Sequence, residues 1–291
     1  EVLVPSLSHV ATVHAVEYVG AKPIFIDADV ETGNIDLNLL QSKVTSKTKA
    51  LIIVHYLGLP LNMDKVTEFC KKNKIFLIED CALALGSKFK KKHVGLFGEI
   101  GSFSFYPVKH ITTAEGGMFI TRHEEIAKKV TRTKAFGYDK MVGERTSPGM
   151  YDVDILGYNY RMNELEAALG IEQLKRINDF LERRHSNNIC LRNALADVSE
   201  LHLLSDGGGD FEHAHYCLVA MLDENTADLR FEIIKAMKDK GVGVSIYYPG
   251  PVPNLSYYRN KYALHVANYP NAARISNQSI ALSLGPHLNE D

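Results

Sequence analysis

Paired cysteines, long apolar runs and net charge are what this 291-residue sequence has least of. Its four cysteines, Cys70, Cys81, Cys190 and Cys217, are far apart and form no Cys-x-x-Cys pair. Their spacing offers neither a zinc site nor a disulfide framework, and a reducing cytoplasm suits them. No apolar stretch approaches the roughly 18 residues of a membrane span, and no charged-then-apolar signal segment opens the chain, so a soluble protein without membrane contact is expected. The 33 Lys and Arg against 35 Asp and Glu leave a formal charge of −2, which gives no net attraction to nucleic acid or an anionic surface. The densest basic run, residues 88–93, lies between Gly86 and Gly95 and reads as a solvated turn joining two short extended segments.

What is present is enough for a large core. The length is near two domains of roughly 100–200 residues each, and 45% of the residues are hydrophobic. From Val2 to about Arg122, short β-rich runs alternate with amphipathic stretches, the pattern of a mainly parallel sheet flanked by helices. Residues 23–27, 50–54 and 75–80 are the clearest strands, and Met63, Val66, Phe69 and Cys70 fall at helical intervals between the last two, which makes a βαβ unit. Further strands are predicted over 101–106 and 117–121, then helices over 124–136 and 163–195, the second suited to connecting two domains. Beyond the flexible break at Gly207, Gly208 and Gly209, strands over 216–222 and 242–248 and helices over 227–240 and 272–282 suggest a small α+β domain. The expected division is therefore 1–162, 163–198 and 199–291. The first residues read as the beginning of a strand with no element before it, as in a chain cut into an existing domain.

In parallel α/β sheets ligands sit at the carboxyl ends of strands, so the polar residues there are inspected first. Asp80 ends one such strand, and its carboxylate could hold a protonated heterocyclic nitrogen, a magnesium ion or a helix N-terminus. Residues 102–117 lead from a strand through Pro107 into a loop where Lys109, His110, Thr112 and Thr113 precede Gly116 and Gly117. A loop lysine is ordinarily a solvated charge, yet an apolar approach would desolvate Lys109, lower its pKa and make it a Schiff-base nucleophile. His213 and His215 are two apart and on an extended segment would share a face; without a third ligand nearby they read as surface histidines, and no metal is expected.

Residues 104–118, 77–82 and 156–164 together resemble the DegT/DnrJ/StrS family of pyridoxal-phosphate-dependent nucleotide-sugar aminotransferases, with further similarity at 4–6, 20–23, 94–98 and 269–272. The resemblance covers the whole chain in order. It implies fold type I, an α/β architecture with a mainly parallel, seven-stranded-type sheet plus a smaller C-terminal α+β domain. It places Lys109 as the lysine that forms a Schiff base with pyridoxal phosphate and shuttles the proton, and Asp80 as the partner of the pyridine nitrogen. Ser104 matches the phosphate-binding serine, His9 the aromatic position stacked on the cofactor, and Asn159 an asparagine that reaches the neighbouring subunit's cofactor, so a homodimer with shared sites is implied. In this resemblance Arg161 and Tyr248, with Tyr247, fall near the substrate, although tyrosines in such a strand equally suit core or interface positions, and His110 reads either as a structural cap or as a substrate contact.

The activity implied is transfer of an amino group from glutamate, through pyridoxamine phosphate, to a nucleotide-linked keto-deoxysugar, and residues 112–117 resemble the pattern associated with C4. Related dehydratases carry histidine in place of the lysine, which Lys109 disfavours. Leu83 stands where the family commonly has Gln or Glu, and His110 where Asn is commoner. Leu83 supports a second reading, a catalytically silent homologue with a sensing or scaffold role, while Lys109 and Asp80 oppose it. A third, a pyridoxal enzyme acting on amino acids, is disfavoured by the Gly157-Tyr158-Asn159-Tyr160-Arg161-Met162 motif. Family members begin several dozen residues earlier, including a Gly-Thr or Gly-Ser phosphate-binding turn, and a final helix is expected to be cut after 288–291.

Overall fold

The structure, a computed structural model, describes residues 1–140 and 142–288. Asn289, Glu290 and Asp291, where the cut in a final helix was expected, lie outside the described residues. The central sheet has the order β2-β1-β3-β4-β7-β8, formed by β1 (Val2–Pro5), β2 (Pro23–Ile26), β3 (Ala50–Val54), β4 (Phe76–Asp80), β7 (Ile100–Ser104) and β8 (Gly117–Ile120). All neighbours are parallel except the last pair, in which β8 runs back along β7 with Ser104 opposite Gly117. β1 and β3 are buried at every position, because helices cover both faces of a parallel sheet and leave no solvated side to alternate with.

Helices α1 (Val10–Tyr18), α2 (Leu40–Lys43), α3 (Met63–Asn73) and α4 (Glu124–Thr133) join or flank these strands. α3 shows why the sequence marks it. Asn62 accepts from the Lys65 N–H at its start, Met63, Val66 and Cys70 form its buried face, and Lys74 ends it in the left-handed conformation. The stretch expected as one helix over 163–195 is two, α5 (Glu164–Leu174) and α6 (Ile177–Leu195), separated at Lys175 and Arg176. α5 begins with a reciprocal capping box between Asn163 and Glu166, so its start is written in the sequence while the break is not.

A small sheet pairs β5 (Lys88–Phe89) with β6 (Lys92–His93) and with β10 (Phe211–Glu212). Lys90 and Lys91, both at positive φ, form its two-residue turn, so the basic run is a hairpin tip. The third sheet, β12-β13-β11-β9, is antiparallel and comprises β9 (Leu201–Leu203), β11 (Cys217–Leu222), β12 (Val244–Ser245) and β13 (Ser279–Ser283). Helix α7 (Arg230–Asp239) packs Ile233, Ile234 and Met237 on it. Residues 279–283 are strand instead of helix: α9 (Pro270–Gln278) stops at Gln278 because Ser279 turns extended and the following residues complete the sheet beside β11. The strand expected over 242–248 shrinks to Val244 and Ser245, since only these pair with β13.

One apolar cluster takes in Val13 and Phe25 from the first part of the chain, Val219 and Ile275 from the last, and the fully buried Tyr258 of α8 (Ser256–Tyr262). The Asp27 carboxylate reinforces the junction by accepting from the Asn271 and Ala272 N–H groups in the first turn of α9. Among the described residues, no helix is long and apolar enough to cross a membrane.

Candidate active site

Two adjacent acids end β4, and alternation sends them to opposite faces of the sheet. Glu79 points inward and is wholly buried, accepting from Gly95, Phe97 and Gly98 N–H groups at 2.6–2.7 Å and from His55 Nε2 at 3.1 Å. Burial pushes its pKa up, but the His55 contact and the Gly98 and Gly95 donors outweigh it and hold the carboxyl below the usual range. Ligand atoms of His55, Glu79 and Cys81 lie within 4.8 Å of one another, but four donors already occupy the carboxylate, and its role is to fasten the 95–98 loop to β4. Asp80 faces the other way. Its Oδ1 accepts from Ala82 N–H at 3.0 Å and its Oδ2 from Thr12 Oγ1 at 2.8 Å, with Ser8 Oγ 2.8 Å from that hydroxyl.

Lys109 stands on the loop between β7 and β8, which is held by its own backbone. Lys109 N–H donates to Tyr106 O, Thr113 N–H to Phe105 O, and Phe105 N–H to Gly116 O. Gly116 has φ of 147°, and a Cβ there would lie 2.4 Å from Thr113 Oγ1, so the loop needs a glycine at this position. Lys109 is half-buried, and burial lowers its pKa while Asp80 raises it. The apolar approach read from the sequence is what lowers it: the charge acting on the lysine is an anion, and desolvation accounts for the net lowering.

Asp80 and Lys109 line one cavity of about 770 Å³, together with Thr12, Ile52, Val54, Ile78 and Leu83. Its size lies in the range of small-molecule sites, and its walls are mostly apolar with a few convergent polar groups. His9 is at the rim, capping α1 by accepting from Ala11 N–H, with its ring 5.9 Å from that of Tyr248 in an edge-to-face pair. Burial, then the Lys109 charge, lower its pKa. Ser104 and Ser102 contribute to the opposite wall. The residues fit pyridoxal phosphate: a carboxylate for a pyridinium N–H, a desolvated amine for an aldehyde, and hydroxyl groups for a phosphate. Leu83, buried and apolar, offers no hydrogen bond to a phenolic oxygen.

Other expected residues lie elsewhere. His110 is buried outside this cavity, donating from Nε2 to Ala214 O at 2.9 Å, while Nδ1 has no partner. Burial, then the Arg184 charge, push its pKa down to about 3, so it is a neutral brace. Arg161 lies 4.8 Å over the Phe136 ring, and Asn159 pairs with Ala135 by a backbone bridge; both side chains are exposed. Tyr247 and Tyr248 both pack on the apolar cluster; of the two, Tyr248 also lines the cavity, while the Tyr247 hydroxyl meets that of Tyr216 at 3.3 Å. The surface reading of His213 and His215 is corrected. Their rings stack at 4.6 Å, His215 is buried, and its Nε2 lies 3.0 Å from His185 Nδ1, because the left-handed backbone at His215 folds the segment inward.

Sequence reasoning passed over the Thr12 hydroxyl on Asp80 and the His55–Glu79 clamp. The signal for the clamp was the pair of acids at a strand end, one of which alternation must bury.

A mainly parallel sheet with a lysine and a carboxylate lining one cavity at its strand ends suits a pyridoxal-phosphate enzyme of fold type I, the class that comparison with known proteins shows. The sequence profile of the DegT/DnrJ/EryC1/StrS aminotransferase family matches residues 1–291. The chain is 36% identical to GDP-perosamine synthase of Escherichia coli O157:H7 over 292 residues, covering 100% of this chain and 75% of that protein. It is 31% identical to UDP-4-amino-4-deoxy-L-arabinose–oxoglutarate aminotransferase of Shewanella sediminis, covering 99% of this chain and 76% of that one. Among solved structures, the PMP form of Spr1654 from Streptococcus pneumoniae, assigned as a sugar aminotransferase, superposes with a TM-score of 0.93 at 27% identity, covering 99% of this chain and 77% of that one. The chain belongs to the DegT/DnrJ/EryC1/StrS aminotransferase family. It is a pyridoxal-phosphate-dependent nucleotide-sugar aminotransferase.

Proposed function

We propose that the enzyme moves an amino group from glutamate to C4 of a nucleotide-linked keto-deoxysugar, working as a homodimer. The observation that carries the chemistry is the convergence of Lys109 and Asp80 on one apolar-walled cavity. Bound pyridoxal phosphate supplies an electron sink there. Asp80, oriented by Thr12 Oγ1 and Ala82 N–H, keeps the pyridine nitrogen protonated. Lys109 would hold the cofactor through its amine and, when free, would take up and give back at Nζ the proton that both halves of a ping-pong cycle require. Its burial favours the neutral amine that these transfers require. Ser104 holds the phosphate, and the rings of His9 and Tyr248 confine the cofactor and sugar at the rim.

The C4 preference is supported by residues 112–117 and by the relative whose name specifies a 4-amino sugar and oxoglutarate. The dimer is supported by the surface of α5, where Leu165 is 84% and Ile171 59% exposed beside an apolar groove of about 440 Å³. Asn159, exposed and absent from the lining of its own cavity, would then be presented to the partner's cofactor.

The test combines a spectrum with an assay. A visible band on adding pyridoxal phosphate, trapped by borohydride as an adduct on Lys109, is expected, followed by 2-oxoglutarate formation from glutamate with a nucleotide-linked 4-keto sugar. Turnover with 3-keto sugars alone would reject the C4 assignment.

A further inference from the structure

We propose that the Tyr216 ring is the platform on which the Lys109 amine rests whenever the cofactor does not engage it, which makes Tyr216 a positioning residue for proton transfer at Nζ. The inference rests on Lys109 having the role given above. Lys109 Nζ lies 5.7 Å from the centroid of the Tyr216 ring, within the range of a cation–π contact. Lys109 also lines a second cavity of about 500 Å³ that includes Tyr216, so the lysine stands in the wall between two chambers. A four-carbon stem in that place can swing into either. The ring gives the free amine one preferred place close to the reacting centre.

The segment that carries the ring is held with unusual redundancy. His110 Nε2 donates to Ala214 O, and Arg184 Nη1 donates to the carbonyls of His215 and Tyr216, so three consecutive carbonyls are pinned by two buried side chains. His215, between them, has φ of 48°, a left-handed conformation that a non-glycine residue keeps only when its surroundings impose it. The Tyr216 hydroxyl meets that of Tyr247 at 3.3 Å, which fixes the far end of the ring. Strand β11 begins at the next residue, where Cys217 pairs with Ser283, so the bracing falls just ahead of the strand, on Tyr216 itself.

The charged and titratable groups around the lysine leave the ring a distinct part. Asp80, across the first cavity, favours the ammonium; His9 and His110 have lowered pKa values and stay neutral near pH 7; Glu115 lines the first cavity and Tyr248 remains a phenol. Arg184, 6.0 Å from the same ring centroid, competes for it and is committed to the two carbonyls. Removing the ring takes away a contact that favours the ammonium, so the Lys109 pKa falls.

The experiment titrates Lys109 in the protein without added cofactor, by trace acetylation across pH with peptide mapping. It compares wild type with Tyr216→Phe, Tyr216→Leu and Tyr216→pentafluorophenylalanine, whose para fluorine reaches as far as the hydroxyl and whose ring is electron-poor. Tyr216→Phe is expected to leave the midpoint in place, while the other two lower it by roughly half to one and a half pH units. An unmoved midpoint with the electron-poor ring, whose shape preserves the fold, would overturn the proposal, as would a Phe variant that moves as far. Borohydride trapping on the wild type runs in parallel. An adduct missing from Lys109 rejects the functional reading, whereas an adduct present with an unmoved midpoint rejects this inference alone.

Discussion

Lys109 illustrates how much a single residue type needs its surroundings. Replacing it with alanine is expected to abolish the borohydride-trapped adduct and to lower turnover by at least about 10²–10⁴-fold, the usual worth of a positioned acid–base group; peptide mapping and steady-state assays check both. His110 makes a different prediction. Its pKa falls from 6.5 to about 3 on folding, so between those values the unfolded chain binds the extra proton and stability rises with pH. Acidification from pH 6 to 4 therefore destabilises the fold, and His110→Gln is expected to reduce that slope by about 1.4 kcal/mol per pH unit in urea melts. That Lys109 and Asp80 line one cavity was expected from the family resemblance, since taken singly a loop lysine and a strand-end carboxylate suit a solvated charge and a helix cap. The inward placement of His215 was not, because it depends on a left-handed backbone and on His185, thirty residues away in sequence.

Among the elements, β4 joins structure to the candidate site: one acid of its terminal pair locks a loop and its neighbour lines the cavity shared with Lys109. Glu79→Ala leaves three backbone N–H groups and His55 without their acceptor, and a loss of about 3–5 kcal/mol is expected from denaturant unfolding. Glu79→Gln keeps the shape and part of the acceptor capacity, so its loss should be smaller. Asp27→Ala removes the acceptor for two N–H groups of α9 and is expected to cost about 1–2 kcal/mol, with faster hydrogen exchange at Asn271 and Ala272. β1, β3 and α3 were readable because local pattern and tertiary burial agree in them. The end of α9 was not: apolar residues at 280–282 suit helix and strand alike, and pairing with β11 decides between them.

At the scale of the whole molecule, a shared active site can be tested by mixing defects. Lys109→Ala and Asn159→Ala proteins, each inactive alone, are expected to regain up to about a quarter of wild-type activity when unfolded and refolded together, because half the dimers are mixed and carry one intact site. No recovery would mean that each site is complete within one subunit. The cluster that contains Val13, Phe25, Val219, Tyr258 and Ile275 has a consequence of its own. The early and late segments of the described chain meet in one apolar cluster, which couples their unfolding. Heating should therefore give one calorimetric transition, with equal van't Hoff and calorimetric enthalpies.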